Sequence, residues 1–128
     1  MDDFRDNRIT NARTASGLNI IAGIWLIMAP FLLGYANIEE AMWNDIICGA
    51  IVAILAAIRV STPLSNPWLS WVNVVVGIWL IIAPFVLGYS DLPTPVWNDI
   101  LLGIIVAGLA AWSAWATGAV RPTTTTTT

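Results

Sequence analysis

Apolar residues run along the chain in four long stretches, roughly Ser16–Leu33, Asn44–Val60, Trp68–Leu87 and Asn98–Gly118, separated by short polar breaks. A helix rises 1.5 Å per residue, so crossing a ~30 Å hydrocarbon core takes about 17–25 residues. The third and fourth stretches meet that length, and the first two reach it with an extra turn from their polar flanks. No stretch alternates with period two, as the strands of an outer-membrane barrel do. Continuous helices satisfy their own backbone groups in lipid without closing a barrel. The pattern therefore predicts an all-α membrane protein with four transmembrane helices. Residues 1–15 form a polar N-terminal segment, 16–60 a first helical hairpin, 61–67 a linker, 68–118 a second hairpin and 119–128 a tail. The tail closes on Thr123–Thr128, a low-complexity run unable to bury apolar surface.

Composition sharpens this picture. Apolar residues are 58% of the 128 and charged residues 10%, against ~45–50% and ~25% in soluble domains. The net charge of −3 gives no nucleic-acid footprint. There is no His and a single Cys, Cys48, which removes disulfides within the chain, Cys/His zinc sites and every imidazole-dependent triad. Cys48 reads as a small hydrophobe in an apolar helix. Asp2, Asp3 and Asp6 stand where a cleaved signal would carry basic residues, so the N-terminal segment reads as retained. All five basic residues are arginines: Arg5, Arg8 and Arg13 before the first stretch, Arg59 between the second and third, Arg121 after the fourth. Glu39, Glu40 and Asp91 lie in the two opposite loops, which carry no base. The positive-inside rule then places both termini and the linker on the cytoplasmic side.

The chain repeats itself at an offset of 54 residues. Gly23–Ile58 aligns without a gap on Gly77–Trp112, and 22 of the 36 positions are identical. GIWLIMAPFLLGY and WNDIICGAIVAILAA in the first unit become GIWLIIAPFVLGY and WNDILLGIIVAGLAA in the second. Each unit holds two spans, so both enter the membrane from the same side, as parallel repeats related by an axis along the membrane normal. Ser65-Asn66-Pro67-Trp68-Leu69-Ser70-Trp71, followed by that hairpin and its WNDI, resembles the SPW repeat family of prokaryotic membrane proteins. The second unit has Asn-Pro-Trp in place of Ser-Pro-Trp, and the first has Ala12-Arg13-Thr14 at the equivalent positions. The resemblance implies a multi-pass protein of a prokaryotic cytoplasmic membrane. It implies no activity, cofactor or functional residue.

Candidate residues follow the repeat. Asn44 and Asn98 read as N-caps of the second and fourth helices, with Asp45 and Asp99 in the first turn against the helix dipole. The alternative makes Asp45 and Asp99 an outer-face pair binding a cation. Pro30 and Pro84 predict kinks in the outer third of the first and third helices, ended by Gly34 and Gly88 in the left-handed conformation. The alternative is a freed carbonyl that coordinates an ion. Gly49, Ala53 and Ala57, with Gly103, Ala107 and Ala111, form small-residue faces for close helix packing, at which the second and fourth helices meet each other or a neighbouring subunit. Trp43, Trp68, Trp71, Trp97, Trp112 and Trp115 suit the interfacial belts. Trp25 and Trp79 fall near mid-membrane, where an indole N–H needs an acceptor on another helix, or else faces a pigment or lipid. Asn19 and Asn73 read as interhelical glue.

No ionisable group is expected between the helix ends, and no nucleophile and base are paired, so the chain does not read as an enzyme. The reading is a structural or accessory membrane component. Its partners are the lipid bilayer and copies of itself or a larger membrane complex, with no cofactor. The alternative is a small oligomeric ion channel or transporter. A reporter fused after Thr128 is expected to be active in a form that works only in the cytoplasm, and activity of the periplasm-dependent form instead would reverse the topology.

Overall fold

The computed structural model describes residues 2–62 and 67–120, with the side chains of residues 2–6, 8 and 117–120 left undescribed. Most of the linker, including Ser65 and Asn66 of the signature, and residues 121–128 of the tail lie outside the described residues. Four helices follow in order: α1 Asp2–Leu32, α2 Glu39–Ser61, α3 Trp68–Leu87 and α4 Pro93–Val120. All four are long and apolar enough to cross a membrane, over Ile9–Leu32, Glu39–Ser61, Trp68–Leu87 and Pro93–Ala116. The protein is an all-α membrane protein. Residues 2–15 continue into α1 as its first turns.

Each helix runs antiparallel to its neighbours. α1 packs on α2 and α3 on α4, while α1 also meets α4 and α2 meets α3. α1 and α3 are therefore diagonal, as are α2 and α4. The two tight turns, α1–α2 and α3–α4, share one end of the bundle. The end of α2 and the starts of α1 and α3 share the other.

The turns are built alike. Gly34 and Gly88 take φ of 84° and 86°, a conformation that costs a residue with a Cβ but not glycine. The next backbone N–H, of Tyr35 or Tyr89, then reaches back to the carbonyl of Pro30 or Pro84, at 2.9 and 3.0 Å. Both prolines fall within the last turn of their helices. They lie in the outer third of α1 and α3, at the point where each helix ends. The glycine swings each tyrosine inward, to 2% exposure.

Inside and outside are inverted relative to a soluble bundle. Ile21, Phe31, Ile54, Val75, Phe85 and Ile104 are exposed, whereas Asn19, Asn44, Asp45, Arg59, Asn73, Asn98 and Asp99 are buried. Buried apolar packing forms a small central cluster of Ala22, Leu26, Cys48, Val52, Leu80, Leu102 and Val106 and a second at the turn end of Ala29, Tyr35, Ala41 and Tyr89. Such a pattern is stable only where the surroundings are themselves apolar. Trp43, Trp68, Trp71, Trp97, Trp112 and Trp115 all lie on the outer surface.

The small-residue faces pack within each hairpin, not between α2 and α4. A Cβ on Gly23 would sit 2.6 Å from the Gly49 carbonyl oxygen and 2.8 Å from the Ala53 nitrogen. One on Gly77 would sit 2.7 Å from both the Gly103 oxygen and the Ala107 nitrogen. Helical periodicity gives the face but not its partner, and the partners are the GIW glycines of α1 and α3. Ala57 is exposed and Ala111 half-buried, so the tight contact fades towards the linker end. Gly108, with nothing within 4 Å of its Cβ position, takes no part. Gly77→Val is expected to destabilise the second hairpin by about 1–3 kcal/mol through overpacking, while Gly108→Ala leaves stability unchanged. Thermal unfolding in detergent checks the pair, and equal effects would remove Gly77 from the close contact.

Candidate functional site

The buried polar side chains form three layers between the hairpins. The densest lies at the turn end and uses residues of both WND motifs. α2 begins at Glu39, with Ile38 as an N-cap that makes no side-chain bond, and α4 begins at Pro93. Acidic residues in the first turn and proline at the first helical position favour these earlier starts. Asn44, Asp45, Asn98 and Asp99 consequently lie more than a turn inside their helices. They are neither caps nor an outer face: Asp45 and Asp99 are 0% exposed.

Within each hairpin a tyrosine grips an aspartate. The Tyr35 hydroxyl donates to Asp45 Oδ2, and the Tyr89 hydroxyl to Asp99 Oδ2. Each asparagine then crosses to the other hairpin. Asn44 Nδ2 donates to the Tyr89 oxygen at 3.1 Å and Asn44 Oδ1 accepts from Trp79 Nε1 at 2.8 Å. Reciprocally, Asn98 Nδ2 donates to the Tyr35 oxygen at 2.8 Å and Asn98 Oδ1 accepts from Trp25 Nε1 at 2.9 Å. Asn98 Nδ2 also reaches Asp45 Oδ2 at 3.4 Å. Both carboxyls lie in this layer between the hairpins, and each keeps a buried Oδ1 with no hydrogen-bond partner. The Cys48 thiol approaches Asn44 Oδ1 at 3.6 Å. Burial first, and then the adjacent carboxylate, push both phenols above the usual tyrosine range, so they remain donors.

The middle layer is two matching bonds. Asn19 Nδ2 on α1 donates to the Val106 carbonyl on α4, and Asn73 Nδ2 on α3 to the Val52 carbonyl on α2, both at 3.3 Å. At the linker end Arg59, in the last turn of α2, is buried at 0% exposure. Its Nε donates to Ser70 Oγ at 2.8 Å, and its Nη2 to Ser113 O and Oγ at 3.1 and 3.2 Å. Ser16 and Ser113 hydroxyls share a bond of 2.8 Å. Arg59, Asp45 and Asp99 thus overturn the expectation that no ionisable group lies between the helix ends. Arg59 in particular, which the sequence assigns to a flank, is part of the interior.

No imidazole exists to activate the tyrosines. Among the described residues no group of three or more His, Cys, Asp or Glu could hold a metal. A groove of about 180 Å³ at the turn end is lined by Gly34, Tyr35, Ile38, Leu92 and Pro93 among others, but by neither aspartate. A larger one, about 710 Å³, runs between α1 and α4 and is lined by apolar residues including Leu18, Trp25, Leu102 and Gly108.

Asn98 carries both an indole acceptor and an amide donor, whereas Trp25 contributes a single donor. Asn98→Leu is therefore expected to destabilise hairpin docking by about 2 kcal/mol or more, because it strands buried groups of Trp25 and Tyr35. Trp25→Phe loses about 1 kcal/mol. Unfolding of the two variants in lipid checks this, and a larger loss for Trp25→Phe would contradict the hub role of Asn98.

No curated protein and no solved structure matches the chain. The SPW repeat domain, by contrast, matches residues 13–120, which takes in both hairpins and all three polar layers. The chain belongs to the SPW repeat family.

Proposed function

We propose that the protein is a structural or accessory component of a prokaryotic cytoplasmic membrane, acting through assembly with its own copies or with a larger membrane complex. One observation carries this reading. The interior asparagine N–H groups, indoles, phenols and serine hydroxyls are committed to bonds between the hairpins, which leaves a locked unit rather than a polar path. A transport route would place its ionisable groups on a cavity, and the two turn-end grooves, the larger bordered by Asn98, are lined by neither Asp45 nor Asp99. The outward-facing apolar residues and the apolar groove between α1 and α4 provide surface for lipid or for another helix. The reciprocal bonds at an offset of 54 residues support reading the chain as two parallel repeats. The arginine distribution supports cytoplasmic termini.

Native mass spectrometry of protein extracted from its own membrane is expected to give a fixed assembly, of identical copies or with other polypeptides. Proteoliposomes holding that assembly are expected to pass protons and alkali cations no faster than empty liposomes. A flux removed by Asp45→Asn and Asp99→Asn would replace this reading with a channel or transporter.

A further inference from the structure

Counting donors against acceptors at the turn end leaves a specific deficit. Asp45 and Asp99 present four carboxyl oxygens. The two Oδ2 atoms accept from Tyr35 and Tyr89, and Asn98 adds a third donor to Asp45 Oδ2. Both Oδ1 atoms are buried and unpartnered, and the amides of Asn44 and Asn98 tie the two tyrosine–aspartate pairs into one layer. The nearby donors are already engaged: both indoles on asparagine oxygens, both asparagine amides on phenols, and Cys48 on Asn44. The titratable groups facing the pair are Tyr35 and Tyr89 from the two turns and Cys48 from α2. Arg59 lies 14 residues further along α2, about 21 Å of helix rise away, and Arg13 is also at the linker end, where it bonds the Val60 carbonyl. Two ionised carboxylates in one buried layer, with no cation beside them among the described residues, repel each other without compensation.

Two orphan acceptors and no free donor specify what is missing. We propose that Asp45 and Asp99 form a proton-binding site, holding one proton between their Oδ1 atoms. The proton comes from the aqueous phase. It leaves one carboxylic acid hydrogen-bonded to one carboxylate, with a net charge of −1 spread over the pair. The phenols of Tyr35 and Tyr89 and the amide of Asn98 hold that charge through the Oδ2 atoms. A metal ion fits poorly, since only two oxygens are uncommitted and hard cations take six or more. This inference stands apart from the assembly role proposed above.

Infrared spectroscopy of the full chain in lipid bilayers at neutral pH, with and without ¹³C-aspartate, tests it. The expected result is a carboxylic-acid carbonyl band that shifts with the label and has the intensity of one acid per chain. Either Asp45→Asn or Asp99→Asn is expected to abolish the whole band, because the asparagine N–H replaces the shared proton and leaves its partner ionised. Two independently protonated aspartates would instead lose half the band in each variant, and that result would overturn the proposal. So would a wild-type spectrum with no such band, which means two carboxylates bridged by water or by a cation. The wild-type intensity decides even if a variant does not fold.

Discussion

A hydrogen bond broken inside a bilayer finds no water to replace it, and the rest of this bundle is arranged around that constraint. Between lipids the hydrophobic effect gives helices little reason to associate, so contact must come from close packing and from polar groups that satisfy one another. Here the two are divided. Glycine contacts, Gly23 on Gly49 and Gly77 on Gly103, close each hairpin on itself. Polar bonds join one hairpin to the other, through Asn44, Asn98, Asn19, Asn73 and Arg59.

The division has a physical logic. A turn of a few residues already holds α1 beside α2, so packing only needs to bring the backbones close. Between the hairpins only α2 and α3 are consecutive in the chain, so docking α1 on α4 needs directional bonds to set the register, and an amide that donates and accepts at once supplies both distance and orientation. Asn44 and Asn98 each do this towards a tryptophan and a tyrosine of the opposite hairpin. Slipping one hairpin by a turn would strand several of these groups together, which makes the register strongly specified.

Hydropathy and two glycines were enough to read most of the fold. α3 runs over Trp68–Leu87, the bounds its apolar run predicts, and Gly34 and Gly88 end helices as their sequence context implies. What escaped were helix starts and partners. Glu39-Glu40 and Pro93-Thr94-Pro95 look like loop, yet acids and prolines are well suited to a first turn. Taken as loop, they place Asn44 and Asn98 at the helix mouth and their aspartates at the surface. The small-residue faces were visible, but a helical period says which residues share a side and not which helix lies opposite. Charge near a span end ordinarily means the headgroups, so the sequence alone assigns Arg59 to a flank. Its burial depends on Ser70 and Ser113, far from it in sequence.

Arg59 and Ser113 occupy the same place in the two halves, 54 residues apart, and they touch. Had the bundle been assembled from two identical hairpins, that contact would set one guanidinium against another in the dry interior. With both hairpins in a single chain the two positions can evolve separately, one supplying the charge and the other the oxygens that receive it. Covalent linkage thus permits an interior that a strict dimer of one hairpin could not adopt, and it gives the two otherwise similar halves fixed and different identities at their linker end.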